Sequence, residues 1–261
     1  MRLRIVLPEG LADAIRGLLF PQVPGCPLCG RTGSARHLCR ACLISWSELT
    51  RNLQICKLCG RFYGCLEPDG VCRDCRQAPP PFVFARGVAP YEGLVRDALY
   101  RYKFTAGREL AGPLGELLAA LIVELIPYRQ LAGVVSVPLH PNRERERRFD
   151  QAALLAAEVA RLLQLPLITG ALVRLRDTPS QTALSRANRR LNMAGAFQSG
   201  SEAAGLAGRG MLLIDDVFTT GATTGECSRT LLAAGVGGVY VATLATSAIR
   251  DQIENEASES A

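Results

Sequence analysis

The amino-acid sequence predicts an α/β protein whose mostly parallel sheet is flanked by helices and preceded by a small cysteine-rich module. Nine of the ten cysteines lie between Cys26 and Cys75, and eight of these nine form regularly spaced pairs. Beyond Pro81, apolar strand patterns alternate with helical patterns of about 10 to 15 residues, which is typical of βαβ units. One of those strands runs through two adjacent acids into a threonine- and glycine-rich loop, an arrangement that indicates a ligand site.

Length and composition exclude several classes of protein. The 261 residues are 48% hydrophobic and 21% charged, as in an ordinary globular protein, so the chain is not disordered, collagen-like or a coiled coil. At about 150 residues per domain, the length predicts one or two domains. The longest apolar run, 117–127, contains Glu124 and is far shorter than the roughly 20 residues that cross a bilayer, so we expect no transmembrane segment.

The N-terminal segment does not have the pattern of a signal peptide. Pro8, Glu9 and Asp13 interrupt the stretch where a signal peptide is apolar, and no small-residue cleavage site follows. We therefore predict an amphipathic helix at 1–24 and a cytoplasmic protein.

The cysteines form four consecutive C-x2-C pairs and hence two quartets, Cys26, Cys29, Cys39 and Cys42, and Cys56, Cys59, Cys72 and Cys75. Each pair places two thiolates on one side of a tight turn, and a second pair about 10 to 20 residues later completes the tetrahedral shell that zinc prefers. The segment around each quartet is too short for a hydrophobic core, whereas a structural zinc ion supplies on the order of 10 kcal/mol of folding free energy. We expect two structural zinc ions.

Disulfides, redox-active pairs and buried apolar cysteines are the alternatives to zinc. They are disfavoured because a chain without a secretion signal folds where thiols stay reduced. Cys65 stands outside the four pairs, and is either a free thiol or a substitute for one ligand of the second quartet. Gly30 and Gly60 directly follow a pair, where the turn commonly needs a residue that tolerates positive φ.

The positive charge of the chain is concentrated in its first third. Residues 1–86 hold 12 basic and six acidic side chains, whereas the rest of the chain holds 18 of each. Eight thiolates and two zinc ions together add about −4, which weakens the case for nucleic-acid binding by this third. Basic residues lie near the cysteine pairs, with Trp46, Phe62 and Tyr63 among them. In one interpretation the basic residues contact phosphates and the aromatic rings stack on bases. In the other, the basic residues offset the charge of the thiolates and the rings fill a small core. We favour the second interpretation.

Three prolines at 79–81 separate the cysteine-rich module from the α/β body. We expect a double zinc-ribbon module at 25–78, a body at 82–249 and a flexible tail at 250–261. Within the body, strands are predicted at 82–91, 133–138, 171–175, 210–217 and 238–246, and helices at 94–104, 109–126, 151–163 and 223–233. A polar arm follows the strand at 171–175.

The stretch at 211–225 is the most informative part of the body. Asp215 and Asp216 follow an apolar strand, and ligands of parallel sheets bind beyond the carboxyl ends of strands. The Thr/Gly loop after them offers backbone N–H groups and hydroxyls at the positive end of a helix, which suits a phosphate. Adjacent carboxylates repel a second phosphate but accept hydrogen bonds from vicinal hydroxyls. The stretch therefore predicts a ribose 5-phosphate site, and the sequence has neither a P-loop nor a dinucleotide fingerprint.

This stretch, LLIDDVFTTGATT, resembles the phosphoribosyl pyrophosphate (PRPP) motif of type I phosphoribosyltransferases. Further stretches narrow the resemblance, namely the four cysteine pairs, VPLHPNRERERRFDQA at 137–152 and RLRDTPSQTALSRANRRLNMAGAF at 174–197. Together they resemble the ComF/GntX family, competence-associated proteins with a double zinc ribbon and a type I phosphoribosyltransferase-like domain. The resemblance covers nearly the whole chain.

The resemblance implies roles for particular residues. It implies that Asp215 and Asp216 hold the ribose 2′ and 3′ hydroxyls of PRPP, which binds together with Mg²⁺. It implies a 5-phosphate loop made of Thr219, Thr220, Gly221, Ala222 and Thr223, and a pyrophosphate turn made of Pro138, Leu139 and His140. It also implies a mobile arm at 174–192 that closes over the site and includes Arg174, Arg176, Ser180, Gln181 and Arg186. After the turn the family usually has Arg-Gly-Phe-Asn-Gln, whereas this chain has Arg-Arg-Phe-Asp-Gln at 147–151, so the role of Asp150 is open.

Four other features have ordinary structural interpretations. We expect His140 to be a hydrogen-bonded turn residue rather than a general acid or base. The arginines at 143–148 alternate with glutamates, which favours a solvated helix face over a DNA contact. We expect Lys103 to be a surface residue, although it can reach a phosphate, and Cys227 to be a small buried apolar residue.

Two functions follow from the resemblance. The first is Mg-dependent phosphoribosyl transfer to an unknown acceptor, in which a nucleophile displaces pyrophosphate from C1 of the ribose. The second is that of a non-catalytic PRPP-binding accessory factor in DNA uptake, which contacts single-stranded DNA or the uptake machinery. The sequence identifies neither a base nor an acceptor pocket.

Overall fold

The computed structural model describes residues 26, 29, 31, 38–104, 107–147, 149–177 and 191–249. The helix expected at 1–24 and the tail expected at 250–261 lie outside these residues, as do Ser180, Gln181 and Arg186 of the expected arm.

The elements of the cysteine-rich module are short. They are α1 (Arg40–Glu48), β1 (Gln54–Ile55), β2 (Phe62–Tyr63) and α2 (Arg73–Gln77). The body continues with β3 (Phe84–Pro90), α3 (Gly93–Phe104), α4 (Gly107–Leu125), β4 (Gly133–Ser136), α5 (Pro141–Arg147), α6 (Gln151–Leu163), β5 (Leu172–Arg174), β6 (Phe197–Ser199), β7 (Gly210–Phe218), α7 (Ala222–Ala233), β8 (Gly238–Thr246) and β9 (Ala248–Ile249). Short 3-10 helices lie at Tyr128–Gln130 and Ser201–Leu206.

The central sheet has four parallel strands in the order β3-β8-β7-β4. Side chains of β7 alternate between two cores, as the period of two in a strand requires. Leu212 and Ile214 lie in one core with α4 and α6, whereas Met211 and Leu213 lie in the other with α7. Helices therefore cover both faces, which confirms the predicted α/β class.

The two cysteine quartets lie on opposite faces of this sheet. Cys26, Cys42 and Trp46 belong to the core that contains α4 and α6. The four cysteines of the second quartet belong to the core that contains α7. Each quartet is thus continuous with the hydrophobic packing of the body.

A second sheet joins the module to the end of the body. Its order is β1-β2-β9, in which β1 is antiparallel and β9 parallel to β2, with Phe62 opposite Ala248. Gly60 has φ of +67°, and a Cβ at this position would lie 2.3 Å from the carbonyl oxygen of Ala85. The expected need for glycine after a cysteine pair is therefore confirmed there, because both the backbone angle and the close approach require it.

Within the described residues, every helix is too short or too polar to traverse a lipid bilayer.

Candidate functional site

Each cysteine quartet brings its four sulfurs within 4.8 Å of one another. The Sγ atoms of Cys26 and Cys42 are 3.9 Å apart, and those of Cys59 and Cys72 are 3.8 Å apart. A tetrahedral zinc ion with Zn–S bonds of about 2.3 Å separates its sulfurs by about 3.8 Å. Both quartets therefore fit zinc, as the sequence predicts.

Backbone and side-chain donors surround the sulfurs of both quartets. The N–H of Cys39 donates to Sγ of Cys26 at 3.3 Å, and the N–H of Cys72 donates to Sγ of Cys56 at 3.4 Å. Arg61, 3% exposed, donates from Nε to Sγ of Cys59 at 3.3 Å and forms an ion pair with Asp74. Such donors stabilise thiolates that coordinate a metal.

The structure shows where Cys65, the three aromatic residues of the module and Cys227 lie. Cys65 lies exposed and outside the second quartet, so it is a free thiol and not a substitute ligand. Trp46, Phe62 and Tyr63 are all buried, which confirms that they fill the small core. Cys227 is also buried, as expected.

A cavity of about 280 Å³ opens at the carboxyl ends of the central strands. Its walls bring together the paired aspartates, part of the Thr/Gly loop, the turn after β4 and several cations. The lining residues are Tyr91, Lys103, Val137, Pro138, Leu139, Arg143, Arg147, Asp150, Gln151, Ala152, Arg174, Asp215, Asp216, Val217, Thr219 and Thr223.

The paired aspartates have different surroundings. The N–H of Asp216 donates to Oδ1 of Asp215 at 2.8 Å. Burial, and then the negative charge of Asp216, raise the pKa of Asp215 to about 8. Asp216 instead forms an ion pair with Lys103, whose Nζ lies 2.7 Å from Oδ2.

Lys103 is not the surface residue that we expected. Its side chain is 20% exposed and lies in the cavity wall. Burial lowers the pKa of Lys103, but the charge of Asp216, its hydrogen bond to Lys103 and the charge of Asp215 together outweigh burial, so the pKa is raised and the side chain stays charged. The helical spacing from Leu99, four residues earlier and buried, is a signal that points Lys103 inward.

The Thr/Gly loop between β7 and α7 ends with a tight turn. Gly221 has φ of +75°, and a Cβ there would lie 2.6 Å from the ring of Phe218. Thr219 and Thr223 line the cavity with the aspartates. The other three predicted residues, Thr220, Gly221 and Ala222, line a separate cavity of about 170 Å³ beside the second cysteine quartet.

The turn after β4 is held by one carboxylate. Asp150 accepts from the N–H of Leu139 at 3.0 Å and from the N–H of Ala153 at 2.9 Å, so it caps α6 and fixes the turn at the same time. Pro138 and Leu139 line the cavity. His140 does not line it, and its Nδ1 accepts from the N–H of Asn142 at 3.3 Å, which confirms it as a turn residue.

Three arginines form the basic wall of the cavity. Arg143 and Arg147, four residues apart on α5, lie partly buried in it, so the prediction of a solvated helix face is wrong for them and holds for exposed Arg145. Arg147 donates to Oε1 of Gln151 at 3.1 Å. Arg174 is the third, and burial, followed by the charge of Arg143, lowers its pKa. The i, i+4 spacing of Arg143 and Arg147 is a sequence signal that they share one face of α5.

The described part of the expected arm is anchored at both ends. Arg176, near its start, donates to the carbonyl oxygens of Asn192 and Ala194, near its end. Asp177 accepts from Nδ2 of Asn142 at 3.0 Å and lies 3.4 Å from Nε of Arg143. Of the predicted arm residues, Arg174 alone lies in the cavity wall among those that the structure describes.

Comparison with known proteins places the chain in a family. No family model matches it. It is 32% identical over 229 residues to "DNA utilization protein YhgH" of Escherichia coli (strain K12), which covers 84% of this chain and 96% of that protein. It is 29% identical to "Competence protein F" of Haemophilus influenzae, over 65% of this chain and 76% of that protein. It is also 29% identical to "Competence protein ComFC" of Bacillus subtilis, over 80% of this chain and 72% of that protein. With its parallel α/β sheet and its two cysteine quartets, the chain belongs to the ComF family.

Proposed function

We propose that the cavity at the carboxyl edge of the sheet binds PRPP. The observation that carries the proposal is that Asp215, Asp216, Thr219 and Thr223 line the same cavity as the turn after β4. The carboxylates suit the 2′ and 3′ hydroxyls of the ribose, and the loop at the start of α7 suits the 5-phosphate. We also propose that the chain divides into a zinc-ribbon module at 25–78 and a body at 82–249, and that the body contains this site.

The charges of the cavity support a ligand with more than one phosphate. Four cations and three carboxylates line it, with Lys103 paired with Asp216 and Arg143 with Asp177, so cations outnumber carboxylates in its lining. The basic wall of Arg143, Arg147 and Arg174 lies in the same cavity as Pro138 and Leu139. Arginines of this kind bind phosphate oxygens in two-pronged geometry, so a pyrophosphate group beside the turn matches the wall.

In a transferase, the chain would supply position and electrostatics. A nucleophile displaces pyrophosphate from C1 through an oxocarbenium-like transition state, and the basic wall stabilises the charge of the departing group. Mg²⁺, held chiefly by oxygens of PRPP, would add to that stabilisation. The carboxylates hold the ribose, which keeps C1 in place beside the wall.

The names of the relatives favour a second role, in competence or DNA utilisation. We propose, as the alternative to transfer, a PRPP-binding accessory factor that contacts single-stranded DNA. Because Trp46, Phe62 and Tyr63 are buried, such contact would depend on exposed basic residues of the module rather than on stacking by these rings.

Calorimetry with PRPP and Mg²⁺ tests the shared part of both roles. We expect wild-type heat of binding to be lost in the double variant D215A/D216A and kept in Arg145→Ala, whose side chain is exposed on α5 outside the cavity. Unchanged binding by the double variant contradicts the proposal.

Turnover separates the two roles. Release of pyrophosphate in the presence of candidate bases supports transfer. Salt-sensitive binding of single-stranded DNA by the full chain, without pyrophosphate release, supports the accessory role.

A further inference from the structure

Ser247, the single residue between β8 and β9, connects three parts of the molecule. Its N–H donates to the carbonyl of Phe218 at 3.0 Å, at the end of β7. Its Oγ donates to the carbonyl of Thr219 at 3.0 Å, in the Thr/Gly loop. Its own carbonyl accepts from the N–H of Phe62 in β2 at 3.4 Å. Ser247 thus connects the Thr/Gly loop to β2, the strand that follows Cys56 and Cys59 of the second quartet.

Packing strengthens the same connection. The rings of Phe82 and Phe218 meet edge to face with centroids 6.0 Å apart. Phe82 belongs to the core that contains the second quartet. Cys59 and Cys75 of the second quartet line the cavity of about 170 Å³ together with Thr220 of the loop. The Thr/Gly loop and the second quartet are therefore neighbours in the same part of the molecule.

The first quartet has a different place in the fold. Cys42 and Trp46 pack in the core on the opposite face of the sheet, together with Val95 and Leu99 of α3. The two quartets are matched in local structure, because Cys39 and Cys72 each precede the first residue of a short helix. They therefore allow a controlled comparison.

We propose that the second quartet, when it holds its metal, positions the Thr/Gly loop for the phosphate ligand, and that Ser247 is the positioning residue that connects them. Loss of metal from this quartet loosens the loop and weakens ligand binding. Loss of metal from the first quartet affects stability without this local effect. The inference about affinity rests on the proposed function, whereas the inference about the loop does not.

Hydrogen exchange of the full chain, followed by mass spectrometry of peptides covering 218–222 and 243–249, tests the inference. We expect Cys72→Ser and Ser247→Ala to speed exchange in these peptides by about three- to tenfold, the effect of one lost hydrogen bond. Ser247→Thr keeps the hydroxyl and restores slow exchange. Cys39→Ser is the matched control for the metal, and Ser228→Ala, which removes a similar bond to the carbonyl of Thr224, is the control for the hydroxyl.

Two results would overturn the inference: unchanged exchange in Ser247→Ala, or equal acceleration by Cys39→Ser and Cys72→Ser. If Cys72→Ser does not fold, Ser247→Ala, Ser247→Thr and Ser228→Ala decide whether Ser247 positions the loop. The dissociation constant of PRPP, measured for the same variants, is expected to rise in parallel with exchange. Absence of PRPP binding by the wild type would contradict the proposed function and leave the exchange comparison intact.

Discussion

Lys103 and Asp216 illustrate how single residues define the cavity. Both side chains are largely buried, and their ion pair neutralises one of two adjacent carboxylates. Asp215 has no ion-pair partner among the residues that the structure describes, and burial and the charge of Asp216 keep it partly protonated near neutral pH. The pair of acids thus carries less negative charge than its sequence suggests, which favours an anionic ligand.

Replacing Lys103 with Gln leaves Asp216 partly buried without its cation. We expect a loss of about 1 to 3 kcal/mol in the free energy of unfolding, measured by urea denaturation. We also expect weaker PRPP binding. Lys57→Gln is the control, because Lys57 is exposed and is the only other lysine of the chain. Equal stability of the two variants would contradict the importance of the ion pair.

The raised pKa of Asp215 makes stability depend on pH. Because the folded state holds this proton up to about pH 8, whereas the ordinary value is 3.8, stability falls as pH rises between about 4 and 8. The slope is at most about 1.4 kcal/mol in the free energy of unfolding per pH unit. Asp215→Asn removes this contribution. Unfolding curves across this range check it. The variant is expected to gain on the wild type as pH rises, and parallel curves would refute the shifted pKa.

At the scale of elements, the cavity lies where helix starts and strand ends meet. Helix α6 begins at Gln151, and its cap, Asp150, also holds the turn after β4. Helix α7 begins directly after Gly221, whose positive φ lets the backbone turn from the loop into the helix that contains Thr223. Both walls of the cavity therefore depend on how a helix starts.

Asp150 replaces the asparagine that the family usually has, and its two oxygens accept two different N–H groups. Asp150→Ala removes both bonds, and we expect a loss of about 1 to 2 kcal/mol in the free energy of unfolding. Asp150→Asn retains one acceptor oxygen and should lose less. The midpoints of chemical denaturation give the order, and an equal loss in both variants would show that the acceptor oxygen kept by Asn adds no stability.

At the scale of the whole molecule, periodicity was enough to predict the central elements. The helix Gln151–Leu163 and the strand Gly238–Thr246 begin and end as predicted, since both are long and strongly apolar. Strands β1, β2, β6 and β9, of two or three residues, are too short to show a period. The partnership of β2 with β9 depends on tertiary packing, which local pattern does not contain. The inward positions of Lys103 and Arg147, by contrast, are indicated by helical spacing in the sequence.

The two cysteine quartets of the described residues, which both fit zinc, predict a simple stoichiometry. The wild type and Cys65→Ser should each hold two zinc ions per chain, and Cys59→Ser should hold one. Chelation of both ions should lower the melting temperature, because structural zinc contributes folding free energy directly. Elemental analysis and thermal denaturation measure these effects. Loss of an ion from Cys65→Ser would show that the exposed thiol is a ligand.

The attachment of β9 to β2 also bears on synthesis by the ribosome. Thr246 donates to the carbonyl of Gly60, 186 residues earlier in the chain. The ribosome adds about 5 to 20 residues per second, so β9 is synthesised on the order of 10 to 40 seconds after β1 and β2. During that interval β2 has an open edge that a foreign strand can join. Early binding of zinc by the second quartet would stabilise β1 and β2 until β9 is synthesised and pairs with β2.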